Sequence, residues 1–246
     1  MTQILHLRTD TSDFALHDPF PIITAGTDGS ISFWHLDISS PVANRADNVT
    51  ITPTRPQHSV KIHQNAIICA QLVDCSHPLQ HDKVQGYLLI TGGDDNAFAF
   101  TRFSSWSHTS SPHSPVHTST LLLPRSHTAA IRAIAIKSRC IVKSVLELKV
   151  VTASNDQRLK TWLVRFDMTK DGVEGLSVVK GGNVYTAVAD IAGVDVLEGQ
   201  GRKRGDEDQN GMARVAEETG GESEGRGGEG SRVRVVVCGV GMDIRG

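Results

Sequence analysis

The chain has 246 residues, of which 39% are hydrophobic and 5% aromatic, a length that suits one large domain or two small ones. It carries 25 Lys and Arg against 27 Asp and Glu, and the resulting net charge of -2 argues against a nucleic-acid binder that uses its whole surface. No apolar run reaches the roughly 18 residues of a membrane span. The N-terminal segment also lacks the basic head and apolar stretch of a secretory signal. The sequence therefore predicts a cytoplasmic protein without a membrane span.

Four cysteines are present, at Cys69, Cys75, Cys140 and Cys238, and no two of them form a C-x-x-C pair. Three of them lie inside apolar runs. We therefore expect buried, reduced thiols, as in a cytosolic or nuclear protein.

Short apolar runs bounded by Gly, Asp, Asn, Ser and Pro dominate the chain. No long run with a helical period is joined to a helix cap, so the pattern predicts an all-β protein. The predicted strands, in chain order, are Pro21–Ala25, Ser30–Leu36, Ala66–Val73, Tyr87–Thr91, Ala97–Phe103, Ala130–Ile136, Leu146–Ala153, Arg158–Phe166, Ala189–Leu197 and Arg232–Cys238.

Three segments interrupt this succession of strands and turns. Asp37–Gln57 and Ser104–Thr120 are rich in Ser, Pro, Thr and His, a composition typical of surface loops. Gly199–Ser231 contains ten glycines and eight acidic residues. Burial cannot offset the ordering entropy of such a segment, so we expect it to be a disordered insertion between two strands.

Three stretches of the chain share one pattern: a Thr, an Asp four residues later, and a residue that closes a strand six residues after the Asp. The triples are Thr24, Asp28 and Trp34; Thr91, Asp95 and Thr101; and Thr152, Asp156 and Trp162. A His precedes the second and third units at the head of an apolar run, at His63 and His127. The pattern indicates a repeat.

These units resemble WD repeats, each of which forms a four-stranded blade of a β-propeller. The aspartates lie 67 and 61 residues apart, against about 40–45 residues in a plain WD blade. The two loops and Asp74–Gly86 account for the excess. The resemblance implies a buried structural relay in which the indole, hydroxyl, imidazole and carboxylate groups satisfy one another.

The predicted relay differs among the three units. His127, Thr152, Asp156 and Trp162 form the complete set. The second unit has Thr101 where Trp is expected, so its relay has at most three members. The first unit has no obvious His, because His6 stands in a poor context.

A partial fourth unit follows. Asp190–Leu197 is predicted as its first strand, Val233–Val237 as its second and Met242–Gly246 as the start of a third, with a tight turn at Gly239–Asp243. Propellers usually have about 4–8 blades, so three and a half blades cannot close a ring alone. We expect either a fragment of a longer protein, which we favour, or an open array that needs a partner. The predicted organisation is blades over 1–198, the insertion over 199–231 and the remaining strands over 232–246.

Six sequence blocks resemble one WD-repeat subgroup more specifically. They are His63–Asn65, Leu88–Asn96, Ser126–Ile131, Thr152–Leu159, Ala189–Asp195 and Val236–Gly241. The subgroup comprises WD repeat-containing protein six and its fungal relatives, the non-catalytic subunits of the tRNA wobble-position 2′-O-methyltransferase.

The resemblance implies a scaffold. Its expected partner is an FtsJ-like methyltransferase that uses S-adenosylmethionine, and tRNA is reached only through that complex. No catalytic residue, cofactor, metal or small-molecule substrate is implied for this chain. The alternative is a generic WD interaction platform, acting in endosomal recycling and trafficking, ubiquitin ligation or another complex.

Two chemical interpretations compete with the scaffold. Thr152, His127 and Asp156 have the residue types of a hydrolytic set, but no nucleophile elbow or oxyanion loop accompanies them. A zinc site would draw on His63, Cys69, Cys75, His77 and His81, but these residues lack paired short ligand spacing.

Three local features leave other roles open. Gly239 and Gly241 are weakly similar to a phosphate-binding turn, but no helix follows them. Basic residues at Arg202–Arg204 and at Lys137, Arg139 and Lys143 are more typical of solvated surfaces than of nucleic-acid contacts. Trp106 is either an interface anchor or a residue packed under its own loop.

Overall fold

The structure is a computed structural model that describes residues 3–6, 20–39, 50–53, 56, 58–75, 86–104, 118–170, 172–198 and 233–241. These residues form β-strands joined by turns, and the described part of the chain contains no helix. All strand pairs in it are antiparallel. The predicted all-β class is confirmed.

The strands form four sheets in chain order. Sheet 1 contains β1 (Gln3–His6), β2 (Phe20–Ala25), β3 (Ser30–Ser39), β4 (Thr50–Pro53) and β5 (His58–Lys61). Sheet 2 contains β6 (Ile67–Asp74), β7 (Gly86–Gly93), β8 (Phe98–Ser104) and β9 (Thr118–Leu123). Sheet 3 contains β10 (Ile131–Val142), β11 (Val145–Ser154), β12 (Arg158–Asp167) and β13 (Leu176–Tyr185). Sheet 4 contains β14 (Val188–Glu198) and β15 (Val233–Gly241).

Apart from β3 with β5, each sheet pairs strands that follow one another in the sequence. Short turns connect β2 to β3, β7 to β8, β10 to β11 and β11 to β12. In sheet 1, the long strand β3 pairs with β5 near its beginning and with β4 near its end. The first strands of successive sheets also touch, β1 against β6, β6 against β10, and β10 against β14. The sheets therefore stand beside one another in chain order.

Strand β7 shows how the core is divided between the sheets. All eight of its residues are buried. Leu88 and Ile90 pack with residues of sheet 3, whereas Tyr87 and Leu89 pack with residues of sheet 1. Because side chains alternate across a strand, sheet 2 buries both of its faces. A smaller cluster around Ile191 joins sheet 4 to sheet 3.

Several predicted boundaries were wrong. The loop predicted over Asp37–Gln57 contains β4 and the end of β3, and the loop predicted over Ser104–Thr120 includes the start of β9. Strands β1, β5 and β13 were also missed. The side chains of β9 are never fully buried, and those of β13 are half-buried or exposed. Such strands lack the strong apolar pattern of interior strands.

The predicted turn at Gly239–Asp243 was wrong as well. Gly239, Val240 and Gly241 belong to β15 and are paired with β14. Met242–Gly246 and the insertion at 199–231 lie outside the described residues. Two predicted buried thiols, Cys140 and Cys238, are exposed. Cys140 lies at the end of β10, where Arg139 and Val142 are exposed as well, so an apolar run there does not mean burial.

Candidate functional site

Sheets 1, 2 and 3 share one kind of turn between their second and third strands. In each, an Asp carboxylate accepts the backbone N–H two residues later, which is an Asx turn. The distances are 3.0 Å from Ser30 N to Asp28, 3.2 Å from Ala97 N to Asp95 and 3.1 Å from Arg158 N to Asp156. The residue after each Asp has a positive φ, namely Gly29 at 83°, Asn96 at 64° and Gln157 at 59°.

The turn of sheet 3 belongs to a four-membered relay. His127 precedes β10, and its Nδ1 lies 3.0 Å from Asp156 Oδ2 while its Nε2 lies 2.8 Å from Thr152 Oγ1. Trp162 Nε1 donates to the same Thr152 oxygen at 2.8 Å. The structure thus brings together all four residues that the sequence singled out.

The donors and acceptors of this relay fix the tautomer of His127. The ionised carboxylate of Asp156 can only accept, so Nδ1 carries the proton and Nε2 accepts from the hydroxyl of Thr152. That hydroxyl has a competing acceptor in Lys160 O, but at 3.4 Å it is farther away than Nε2. Every polar group in the chain of contacts is therefore satisfied.

Burial sets the charge state of the pair. It lowers the pKa of His127 to about 4, although the carboxylate of Asp156 acts in the opposite direction. Burial alone would raise the pKa of Asp156. Hydrogen bonds from the backbone of Thr128 and from His127 outweigh this effect, and the pKa falls below its usual value. At neutral pH the pair is a neutral imidazole beside a carboxylate.

The same geometry gives no support to a hydrolytic role for Thr152. Its side chain is fully buried, and its hydroxyl is already bonded to His127 and Trp162. A nucleophile must reach a substrate. The hydroxyl oxygen of Thr152 is buried, and His127 and Trp162 occupy its hydrogen-bonding positions.

Sheet 2 holds a relay of three members. His63 Nδ1 lies 2.9 Å from Asp95 Oδ1, and its Nε2 lies 2.9 Å from Thr91 Oγ1. Thr101, at the position of the missing Trp, does not join them. Its hydroxyl bonds Thr120 on β9 at 3.0 Å. The hydroxyl of Thr101 therefore has a hydrogen-bond partner on the neighbouring strand, although Thr101 stands in place of the Trp.

Sheet 1 divides the set into two separate contacts. Trp34 Nε1 donates to Thr24 Oγ1 at 2.9 Å. Asp28 is exposed and holds its own turn. His6 lies on β1 with its backbone opposite Ile22, and not in a loop ahead of the first strand as His63 and His127 do. The backbone of His6 therefore does not occupy the position that His63 and His127 take ahead of their sheets.

Each Asp turn is bonded to the backbone that leads into the next sheet. The carbonyl of Gly29 accepts from His63 N at 3.0 Å, and that of Asn96 accepts from His127 N at 3.3 Å. The carbonyl of Gln157 accepts from Thr186 N at 2.9 Å. The backbone of Thr186 thus occupies, ahead of sheet 4, the position that His63 and His127 occupy ahead of sheets 2 and 3. No His marks this position in the sequence, so its role was not predicted.

Lys160 is a second residue that the sequence did not single out. It is buried beside the relay of sheet 3, and its Nζ donates to Ser126 O. Burial lowers its pKa, and the nearby Lys180 lowers it further. The only indication of its role in the sequence was a lysine at a strand position that faces the core.

Among the described residues, the remaining candidates form no chemical centre. Burial raises the pKa of Cys69 and that of Cys75 to about 12, so both are inert thiols. Within the described ranges no three His, Cys, Asp or Glu side chains are grouped as metal ligands would be. His77, His81, Trp106 and Arg202–Arg204 lie outside those ranges.

The basic residues on and just after β10 differ in their surroundings. In the basic group on β10, Arg139 donates to the backbone carbonyl of Asp74 at 2.6 Å, Lys137 is half-buried and Lys143 is exposed in the following turn.

Among the described residues, no helix is long and apolar enough to span a membrane.

No protein-family model matches this sequence, and no curated protein matches it. Assignment to a family therefore depends on the sequence blocks and on the contacts around the Asp turns.

Proposed function

We propose that the four sheets are successive blades of a WD-repeat β-propeller, three of them complete and the fourth represented by two strands. One observation carries this proposal: the Asp turns of sheets 1, 2 and 3 share the same hydrogen bonds, and each turn is bonded to the chain ahead of the next sheet. Contact between the first strands of neighbouring sheets also fits a radial arrangement.

The proposed role is that of a non-catalytic, cytoplasmic scaffold for tRNA wobble 2′-O-ribose methylation. Its partner is an FtsJ-like methyltransferase, which brings the S-adenosylmethionine and the catalytic residues, and tRNA is met through the complex. The resemblance of the six sequence blocks supports this role. The relay supports it too, since its polar groups satisfy one another in the core and offer no free nucleophile.

The surface that we assign to the partner is the rim formed by the Asp turns and the loops bonded to them. Several blocks contribute exposed polar side chains to this rim, namely Gln64, Asn65, Asp94, Thr128, Asn155 and Gln157. Amide and hydroxyl groups of this kind give directional hydrogen bonds at an interface. Because the relays hold the backbone beneath them, the rim is pre-organised for binding.

Co-purification and tRNA analysis test the role. The tagged gene product should co-purify with an FtsJ-like methyltransferase, and deletion of the gene should abolish ribose methylation at the wobble position. Asn155→Arg, which places a bulky charge on the rim, should fail to restore methylation. Glu174→Arg, an exposed change in the β12–β13 connection at the other end of sheet 3, should restore it.

Unchanged wobble methylation after deletion would refute the proposed role. Co-purification with trafficking or ubiquitin-ligase subunits, without a methyltransferase, would favour the generic interaction platform instead.

A further inference from the structure

Strand β13 carries a bulge that determines the face on which Lys180 lies. Lys160 of β12 is paired with Asn183, but Trp162 is paired with Lys180, so two residues of β13 stand opposite one residue of β12. In a regular ladder Trp162 would pair with Gly181, and Lys180 would lie on the other face. Because side chains of paired residues share a face, the bulge places Lys180 on the same face as Lys160 and Trp162.

Local contacts stabilise this bulge. Thr161 Oγ1 accepts the backbone N–H of Gly182 at 2.6 Å. A Cβ at Gly181 would lie 2.7 Å from the same oxygen, so a residue without a side chain suits this close approach. Farther along β13, Val178 packs against the core that joins sheets 2 and 3. The core contact and the bulge together fix the position of Lys180.

Three cationic side chains lie together on this face of sheet 3. The guanidinium of Arg158 lies 4.2 Å from the ring centroid of Tyr185, and its Nη2 donates to the hydroxyl of that residue. Lys160 is only 7% exposed, and its Nζ donates to Ser126 O. Lys180 is exposed. Two of the three cations are therefore held by hydrogen bonds, and the third is open to solvent.

The three positive charges act on one another. Burial lowers the pKa of Lys160, and the positive charges of Lys180 and Arg158 lower it further. The carboxylate of Asp156 acts in the opposite direction, but it is already bonded to His127. Within the described ranges, none of the three cations forms an ion pair. Because buried cations ordinarily have a counter-charge, this arrangement favours an anion from outside.

We propose that Arg158, Lys160 and Lys180 bind a phosphate monoester carried by a Ser or Thr side chain of a partner protein. Such a phosphate has three acceptor oxygens and about two negative charges near neutral pH, which suits ammonium and guanidinium donors grouped at one point. Basic clusters recognise phosphorylated peptides in this way. This binding goes beyond the proposed scaffold role, and it is a property of the chain alone, without the methyltransferase.

The shape of the site favours a protein partner over a small metabolite or a nucleic acid. Pockets for small ligands bury most of the ligand surface, whereas Tyr185 is 67% exposed and Lys180 is exposed as well. A phosphate here would be one anchor of a wider interface, beside Gln157 of the rim. Proteins that bind single-stranded nucleic acids combine a charged groove with free aromatic faces. Here Arg158 covers one face of the Tyr185 ring, and the cations form one group.

Amide NMR of the full chain, titrated at constant ionic strength, tests the site. The probe is N-acetyl-O-phosphoserine N-methylamide, and N-acetylserine N-methylamide is its neutral counterpart. The phosphorylated probe should cause saturable shifts at residues 126–128, 157–161 and 180–185, and the neutral compound should not. Lys180→Ala should weaken binding about tenfold, because it removes a charge-assisted contact. Lys149→Ala should change binding by less than about twofold, since this exposed lysine lies on the opposite face of sheet 3.

Two further measurements complete the test. Arg158→Ala leaves the buried lysine in place and should also weaken binding of the phosphoserine probe. An oligouridine of about ten nucleotides, titrated in the same way, should bind these residues less tightly than the probe does. Tighter binding of the oligouridine there would overturn the proposal. So would the absence of saturable shifts, equal shifts from the neutral compound, shifts confined to other residues, or an equal effect of Lys149→Ala and Lys180→Ala.

Discussion

Trp162 and Thr101 occupy equivalent positions in neighbouring sheets, but their buried polar atoms have different hydrogen-bond partners. Trp162 donates to Thr152 and packs its ring against Phe98, with 5.4 Å between centroids. Thr101 instead bonds the hydroxyl of Thr120. Each buried polar atom needs a hydrogen-bond partner, and in sheet 2 the pair of hydroxyl groups supplies one for Thr101 although no indole is present. The carboxylate and imidazole are therefore the common centre of both relays.

The first prediction concerns that carboxylate. Asp156→Ala should lower the free energy of unfolding by about 1–3 kcal/mol, because it leaves His127 Nδ1 and the backbone N–H of Thr128 without their acceptor. Asp28→Ala is the matched control, since Asp28 is exposed and has no such His contact among the described residues. Urea denaturation of both variants measures the difference. Equal losses would contradict a special role for the buried pair.

The second prediction concerns pH. Burial depresses the pKa of His127 from 6.5 to about 4, so the unfolded chain binds more protons at this site between those two values. Stability from this site is therefore complete above pH 6.5 and falls as pH drops towards 4. Thermal melting over this range should show a decrease that becomes smaller in His127→Gln. Trp162→Phe is the control, because it perturbs the relay but removes no titrating group.

An unchanged pH dependence in His127→Gln would assign the decrease to other groups. A decrease that disappears equally in Trp162→Phe would show that loss of packing, and not protonation of the imidazole, controls it.

At the scale of elements, the interior strands were predictable and the outer ones were not. Strand β7 reads as an uninterrupted apolar run because both of its faces are buried. Strand β13 has five consecutive exposed residues, among them Gly181 and Gly182, so its sequence carries little apolar pattern. The relay of sheet 3 was predictable because Thr152, Asp156 and Trp162 lie in one hairpin, where local register fixes their spacing.

Contacts between sheet 3 and the segments that connect it to its neighbours were beyond prediction from the sequence. Thr186 and Lys160 acquire their roles from the carbonyls of Gln157 and Ser126, which belong to other elements. No local sequence pattern predicts such a contact, since the contact depends on how the elements pack together.

The third prediction concerns the turn between β2 and β3. Gly29 has a φ of 83°, and an added Cβ would lie 2.2 Å from the carbonyl oxygen of His63. Gly29→Ala should therefore destabilise the protein by about 1–3 kcal/mol, through backbone strain and through separation of the turn from the loop before sheet 2. Gly193→Ala is the control, because a Cβ there meets no atom within 4 Å.

Differential scanning calorimetry of the two alanine variants measures this effect. If Gly29→Ala melted at the temperature of Gly193→Ala, the close approach of the turn to His63 would be refuted.

At the scale of the whole molecule, each described sheet is stabilised mainly by its neighbours in the chain. One core cluster joins residues of sheets 1 and 2, a second joins sheets 2 and 3, and a third joins sheets 3 and 4. In such a linear array, stability is close to a sum of the contributions of each unit and each interface. A contact that crosses an interface should therefore affect both of the sheets that it joins.

Arg102 provides such a contact. It belongs to β8 in sheet 2, and its guanidinium lies 4.7 Å from the ring centroid of Phe166 in sheet 3. Its Nη1 also donates to the carbonyls of Lys170 and Gly172, between β12 and β13. Arg165, by contrast, pairs with Glu147 inside sheet 3, and its side chain is 57% exposed.

The fourth prediction compares these two arginines. Arg102→Ala should lower the free energy of unfolding by about 1–2 kcal/mol, since it removes a cation–π contact and hydrogen bonds across the interface. Arg165→Ala should change it by less than about 1 kcal/mol, as is usual for an exposed ion pair. Hydrogen exchange of Arg102→Ala should quicken in both β8 and β12, because the contact couples the two sheets. Faster exchange confined to sheet 2 would mean that the sheets open independently, and an array of coupled neighbours would then be the wrong description of this molecule.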